Sequence, residues 1–466
     1  MRILVTGSTG FIGRPLGLEL ARRGHELVCL VRDPARADLP FPAELHAWGT
    51  EAKLRDIDAV IHLAGESIGA ERWSKARKTK IIESRVATTR DLLAILRKAE
   101  GRRPRVFLGA SAIGFYGDRG DELLTEESAP GQGFLAETCL AWEAATREAE
   151  SFIPRVVRLR TGIVVGRGGG ALAAMLPLFK AGLGGRLGSG RQWMSWIHLD
   201  DLVQLYNFCL EQEGVRGAVN AVAPNAVTNT EFTRALATQL RMPAVLPAPA
   251  FALKLALGEM SALLLESQRV ATNAVGAGFR FRYERIGEAL GAVFKQVEKA
   301  RGPFFHEHVS RRWFAASPET VFAYLTDASH LEALTPPEFA LKIERQSTVR
   351  LRENSVVDYS LRALGHRREV RSLIMDFVEN HRFASTHQYG PFPFWHHQHI
   401  FERLAGGTLL TDRVVYRCRG SLAGSLIGGR WVENHLTRIF RYRGEKLKDA
   451  FKARPVSQGR EGLAAV

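Results

Sequence analysis

The residues best suited to chemistry cluster first in the run Thr6-Gly7-Ser8-Thr9-Gly10-Phe11-Ile12-Gly13. Gly7 permits a tight turn, Gly10 lets the backbone approach a bound pyrophosphate, and Gly13 lets a helix lie close to a strand. A helix opening there offers the anion unpaired N–H groups and a partial positive charge. Gly7, Thr9, Gly10, Phe11, Ile12 and Gly13 are therefore candidate contacts to a dinucleotide. Arg32, nineteen residues beyond Gly13, stands where such sites read the ribose. An acidic residue there binds a 2′-hydroxyl, whereas an arginine accepts a 2′-phosphate. The expected cofactor is NADP, with Arg36 as a second candidate contact and Asp33 as a solvated turn residue before Pro34.

Other candidates are spread along the chain. Leu63, Ala64 and Gly65 end the apolar run from Ala59, and in a doubly wound sheet such strand ends flank the ligand. Lys80 and Arg85 either face the cofactor or form a solvated basic face. Near the other end of the chain, Trp395, His397, His399 and Phe401 alternate onto one face of a strand. Two histidines at i and i+2 have metal-type spacing. No carboxylate or cysteine completes a site in sequence, so a hydrogen-bonded polar pair is expected and no metal.

The elements that must position the first group are legible from periodicity. Arg2 to Val5 is an apolar strand. Phe11 to Arg23 reads as a helix, with Ile12, Leu16 and Leu20 recurring four apart. Strands follow at Glu26–Val31, Ala59–Gly65, Arg105–Ser111 and Arg155–Arg160, separated by helices at about 76–97 and 132–150. Such alternation implies a parallel sheet with right-handed crossovers. The fold class expected is an α/β Rossmann-type doubly wound sheet, followed by an α+β unit.

The chain has 466 residues, 45% hydrophobic, with a net charge of +15. That length supports two or three domains with proper cores. The basic balance suits anionic partners, but no nucleic-acid motif is found and none is expected to bind. No apolar run reaches membrane-spanning length; the best, Phe251 to Leu265, is broken by Lys254 and Glu259. Met1 runs straight into the first strand, so no signal peptide is expected. Cys29, Cys139, Cys209 and Cys418 are scattered and read as reduced thiols in a cytoplasmic protein.

Six stretches carry a resemblance: TGSTGFIG (6–13), HLAGESI (62–68), RWSKARKTKIIESR (72–85), SAIGFYGD (111–118), RTGIVVGRGGGAL (160–172) and LGSGRQWMSWIHLDDLV (187–203). With them, residues 1–300 resemble an atypical extended short-chain dehydrogenase/reductase of the NAD-dependent epimerase/dehydratase family. Residues 247–270 and 277–283 resemble the short C-terminal module of that group. Arg160, which opens one of these motifs, joins the candidate cofactor contacts. Short-chain dehydrogenases use a serine and a Tyr-x-x-x-Lys pair, the lysine lowering the tyrosine's pKa. Ser111 stands at the strand end where the serine belongs. The segment for the pair reads Phe134-Leu135-Ala136-Glu137-Thr138, which supplies neither acid nor cation. The substitutes are Tyr116, Glu66 and His198, each with an alternative structural role; Ser111 and Tyr116 are taken as the candidate catalytic residues.

Beyond a charged linker at Lys295 to Pro303 the pattern changes. Phe305 to Phe314 reads as a strand and Ser317-Pro318-Glu319 as a helix start. Six strands follow at 340–348, 354–363, 367–378, 382–389, 395–404 and 407–418, then a closing helix from Trp431 to Phe451. A strand, two small helices, an antiparallel meander and a long helix make a helix-grip layout. Residues 317–327, 334–337, 390–401 and 406–416 resemble the START-like SRPBCC superfamily, including its polyketide-cyclase and CoxG-like members, which implies a cavity for an apolar ligand. From Arg417 to Arg454 there are ten Lys and Arg against three Asp and Glu. That basic face is solvated or makes transient contact with a membrane surface, without stable insertion. The domains expected are 1–240, 241–298 and 303–452. Two functions are open: an NADP-binding oxidoreductase or epimerase-like protein acting on a small-molecule substrate, or a non-catalytic NADPH-sensing regulator or ligand-transfer protein.

Overall fold

The computed structural model describes residues 1–49, 54–298, 305–363, 366–418 and 422–451. They form two compact units, one comprising the described residues of Met1–Phe305 with Leu422–Leu426, the other those of His306–Cys418 and Ile427–Phe451. Residues 299–303 of the expected linker lie outside the described residues, while Lys295 to Glu298 continue the helix Ile286–Glu298. Among the described residues, no helix is long and apolar enough to cross a membrane.

The first unit is built on seven strands: β1 (Arg2–Thr6), β2 (Glu26–Val31), β3 (Glu44–Ala47), β4 (Ala59–His62), β5 (Val106–Ala112), β6 (Arg155–Thr161) and β7 (Gly217–Ala221). They pair in parallel in the order β7-β6-β5-β4-β1-β2-β3. The runs Ile3-Leu4-Val5 and Val60-Ile61 are fully buried, as a sheet covered on both faces requires. Helices α1 (Gly13–Arg22), α2 (Lys75–Lys98), α3 (Phe134–Arg147) and α4 (Leu199–Glu211) join them. The chain moves outward from β1 in one direction through β2 and β3, and in the other from β4. The crevice beyond the ends of β1 and β4 is thus the switch point where such sheets bind ligands. Residues of the expected 241–298 module share a core with the rest of the unit: Ile286, Leu290 and Val293 pack with Val165, Phe179, Trp196 and Phe232.

The second unit is a seven-stranded antiparallel sheet. In chain order its strands are β8 (Phe305–Phe314), β9 (Lys342–Gln346), β10 (Val356–Ala363), β11 (His366–Val378), β12 (Arg382–Tyr389), β13 (Phe394–Leu404) and β14 (Gly407–Arg417). The sheet order is β8-β14-β13-β12-β11-β10-β9. Helix α5 (Pro318–Leu325) is capped by Ser317, whose hydroxyl accepts from the Thr320 amide. The closing helix α6 spans Leu422–Ala450 and starts nine residues before the expected Trp431. Gly428 and Gly429 lie inside the helix despite their low helix propensity. Here the absence of a side chain is the point: a Cβ on Gly429 would lie 2.2 Å from the His306 ring.

Candidate functional site

The glycine turn sits between β1 and β4. Gly7 adopts φ +70°, and a Cβ there would lie 2.8 Å from the Leu63 carbonyl carbon. A Cβ on Gly13 would stand 2.1 Å from the Gly7 carbonyl oxygen, and one on Gly10 3.1 Å from it. Thr6 ties the two strand ends together, because its hydroxyl accepts from the Ala64 amide at 3.2 Å and meets His62 Nδ1 at 2.7 Å. His62 contacts Thr89 on α2 through its other nitrogen at 3.0 Å. Burial pushes its pKa down to about 4, so the ring is neutral at physiological pH.

The start of α1, like those of α3 and of the helix Gly170–Lys180, has no side-chain cap, in contrast to several other helices. Ser74 caps α2, Ser317 caps α5, and Thr228 with Glu231 forms a capping box on the helix Asn229–Leu240. No side chain among the described residues caps α1, and its first turn holds no acid. Its orphan N–H groups and partial positive charge are left to an external anion, with Thr9 and Gly10 exposed above them. The residues present therefore fit the pyrophosphate of a dinucleotide. The loop Gly166–Gly170, given no role from sequence, packs beside this turn: a Cβ on Gly169 would lie 2.5 Å from the Phe11 ring.

Arg32 leaves the end of β2 and is exposed. Asp33 is occupied with its own turn, accepting from the Ala35 amide at 3.0 Å and pairing with Arg36 at 3.4 Å. On α2, Arg85 donates to the Glu66 carbonyl at 3.0 Å and to the Ile81 carbonyl at 2.9 Å, and lies 5.0 Å from the centre of the Trp142 ring. It is thus fixed under Gly65, while Lys80 is exposed. Arg77 was missed from sequence. It is buried and holds the same loop, meeting Glu66 Oε2 at 3.3 Å and the Ser67 carbonyl at 2.5 Å.

Ser111, Tyr116 and Arg160 meet in one buried network. The Ser111 hydroxyl donates to Glu143 at 2.8 Å. Arg160 grips both Glu143 oxygens, at 2.8 and 3.1 Å, and donates to the Tyr116 hydroxyl at 2.9 Å. Tyr116 in turn donates to Asn220 at 2.7 Å. Burial pushes the Tyr116 pKa up, only partly offset by Arg160. Burial also works against the Arg160 charge, but the Glu143 carboxylate outweighs it and the net shift is upward. Phe134 packs edge-on to Trp73 at 4.8 Å, with the Lys78 ammonium 5.3 Å from its ring centre. His198 caps α4, its Nδ1 accepting from the Asp200 amide at 3.1 Å. Glu66, the remaining substitute, is engaged by Arg77.

The second unit encloses a cavity of about 210 Å³. Val357, Ile374, Phe383 and Trp395 line it from the sheet, and Leu436, Ile439 and Phe440 from α6. His397 and His399 also face it. The carboxylate that sequence did not supply for this pair comes from the neighbouring strand, where Asp412 pairs in register with His399.

Comparison with known proteins places the first unit. The model of the NAD dependent epimerase/dehydratase family matches residues 3–222. An epimerase family protein of Mycobacterium bovis is 40% identical over 298 residues, covering 62% of this chain and 96% of the relative. The chain belongs to the NAD dependent epimerase/dehydratase family. A chloroplastic relative in Arabidopsis thaliana is 39% identical, over 63% of this chain and 87% of its own. The crystal structure of the human epimerase family protein SDR39U1 with NADPH is similar at a TM-score of 0.58 and 33% identity, covering 63% of this chain and 99% of that one. A domain of unknown function, DUF1731, matches residues 248–293. In this epimerase-family chain the family match contains the parallel sheet, apart from Arg2 at its start, and the glycine turn.

Proposed function

We propose that residues 1–298 bind NADP(H) and act on a small-molecule substrate as an oxidoreductase or epimerase. The observation that carries this reading is the uncapped start of α1 at the switch point, under a glycine turn too close-packed for side chains. The amides of Thr9 and of Phe11 to Gly13 hold the pyrophosphate, while the Gly10 amide closes the turn on the Gly7 carbonyl at 3.0 Å; Leu63 to Gly65 flank the ligand, and Arg32 binds the 2′-phosphate. NADP(H) held there supplies hydride chemistry. The human relative solved with NADPH supports the choice of cofactor. The four free cysteines suit a cytoplasmic location.

One observation favours a second reading, a regulator that senses NADPH without turnover. Ser111 and Tyr116 are committed to Glu143, Arg160 and Asn220, and a tyrosine with a raised pKa is a poor base. NADPH consumption measured with a panel of carbonyl compounds separates the two. Turnover supports the enzyme, and saturable binding without turnover supports the sensor.

For the second half, residues 303–452, the reading is a START-like SRPBCC domain of helix-grip form that takes an apolar ligand. Its support is a long helix and an antiparallel sheet that share a largely apolar cavity. Titration of a fluorescent apolar probe tests it. Saturable binding displaced by an apolar competitor is expected, and no binding would remove the assignment.

A further inference from the structure

The cavity of the second unit carries a cluster that its apolar walls do not explain. Along β13, alternate residues point inward, so His397 and His399 share the buried face while His396 and Gln398 are less buried. Across the ladder, His399 pairs with Asp412 and His397 with Val414. The register therefore brings two imidazoles and one carboxylate to one spot, from positions that sequence separates.

Their ligand atoms converge. His397 Nε2 lies 3.0 Å from Asp412 Oδ1, and His399 Nδ1 lies 2.7 Å from the same oxygen. All three ligand atoms fall within 4.8 Å of one another. Ligands bound tetrahedrally at about 2.0–2.2 Å from one cation stand roughly 3.3–3.5 Å apart, so only small movements separate this arrangement from a coordinated one. The His399 contact is a close ion pair whose alignment falls short of a good hydrogen bond. Its Nδ1 has no hydrogen-bond partner among the described residues, although the residue is only 7% exposed. A cation held between this ring nitrogen and the carboxylate oxygen would satisfy both atoms.

We propose that His397, His399 and Asp412 form a binding site for a divalent transition-metal ion of the zinc type. Two imidazoles and a carboxylate are a donor set that zinc and its neighbours accept, and three protein ligands leave coordination positions open. Those positions face the cavity, because both histidines line it. A polar oxygen on an otherwise apolar ligand would complete the coordination. Arg443 lines the same cavity and interacts electrostatically with Asp412, so it competes with the metal for the carboxylate. Asp412 alone cannot neutralise both cations, so the site favours an anionic oxygen in the open position. The metal site stands whether or not the cavity takes an apolar molecule.

The test uses the full chain, without a histidine tag, stripped by chelator and titrated with Co²⁺. One equivalent bound per chain is expected, with a visible ligand-field absorption that Zn²⁺ displaces. His399→Ala, His397→Gln and Asp412→Asn should each weaken Co²⁺ binding about tenfold or more. Zn²⁺ should also raise the Tm of the unaltered chain, which decides the matter even if a variant fails to fold. The proposal is overturned if the unaltered chain shows neither absorption nor a Tm rise. It is equally overturned if the folded variants bind Co²⁺ as the parent does.

Discussion

At the scale of single residues, the account rests on which side chains are engaged and which are left over. Asp33 spends its oxygens on its own turn and on Arg36, which leaves exposed Arg32 as the group we propose for a 2′-phosphate. Arg32→Ala should weaken NADPH binding about tenfold or more while leaving NADH unchanged, since a charge-assisted hydrogen bond contributes about 1.5–3 kcal/mol. Fluorescence titration with both nucleotides reads this directly. Glu143 is the opposite case, buried and holding Ser111 and Arg160 together. Glu143→Ala should cost about 3–5 kcal/mol in urea unfolding, because it strands a buried guanidinium. His62 gives a pH signature. Its pKa is about 4 when folded against 6.5 for the free group, so the folded state binds fewer protons between those values. The stability it contributes is full above pH 6.5 and is lost as pH falls toward 4, by about 3 kcal/mol in all. A proton NMR titration should find the His62 ring untitrated down to about pH 4; a midpoint near 6.5 would contradict its buried placement.

At the scale of elements, what sequence made legible was local and what it hid was not. The glycine turn, β1 and α1 could be read because their signals lie within one short stretch. The strand expected at 382–389 coincides with β12, which is bounded by turn residues on either side. The start of α6 was not legible, because Gly424, Gly428 and Gly429 lower its helix propensity, although Gly429 is where the helix comes close to His306 of β8. Gly429→Ala should destabilise the second unit by about 1–3 kcal/mol, as overpacking does, since its Cβ would lie 2.2 Å from His306. The Ser111–Glu143–Arg160 network was hidden too, with partners 32 and 17 residues apart that meet only when α3 packs beside β5 and β6. On α6, Ile439 lines the cavity. Ile439→Trp should fill the space and displace an apolar probe while the unit stays folded, as a cooperative thermal transition would show.

At the scale of the whole molecule, a parallel-sheet unit of the epimerase family and an antiparallel unit with its own cavity occupy one chain. The family of the first was legible because its motifs are contiguous. The Asp412 that joins the histidine pair was not, because strand register is invisible until the sheet is formed. The two units have separate sites to offer, the proposed nucleotide crevice in one and a sheltered, largely apolar space in the other. The account stands or falls on the first of these. The most direct measurement is calorimetric titration of the full chain with NADPH and, separately, NADH. The account predicts one site per chain, with NADPH bound about tenfold or more tightly than NADH. No heat with either nucleotide, or equal affinity for both, would contradict it.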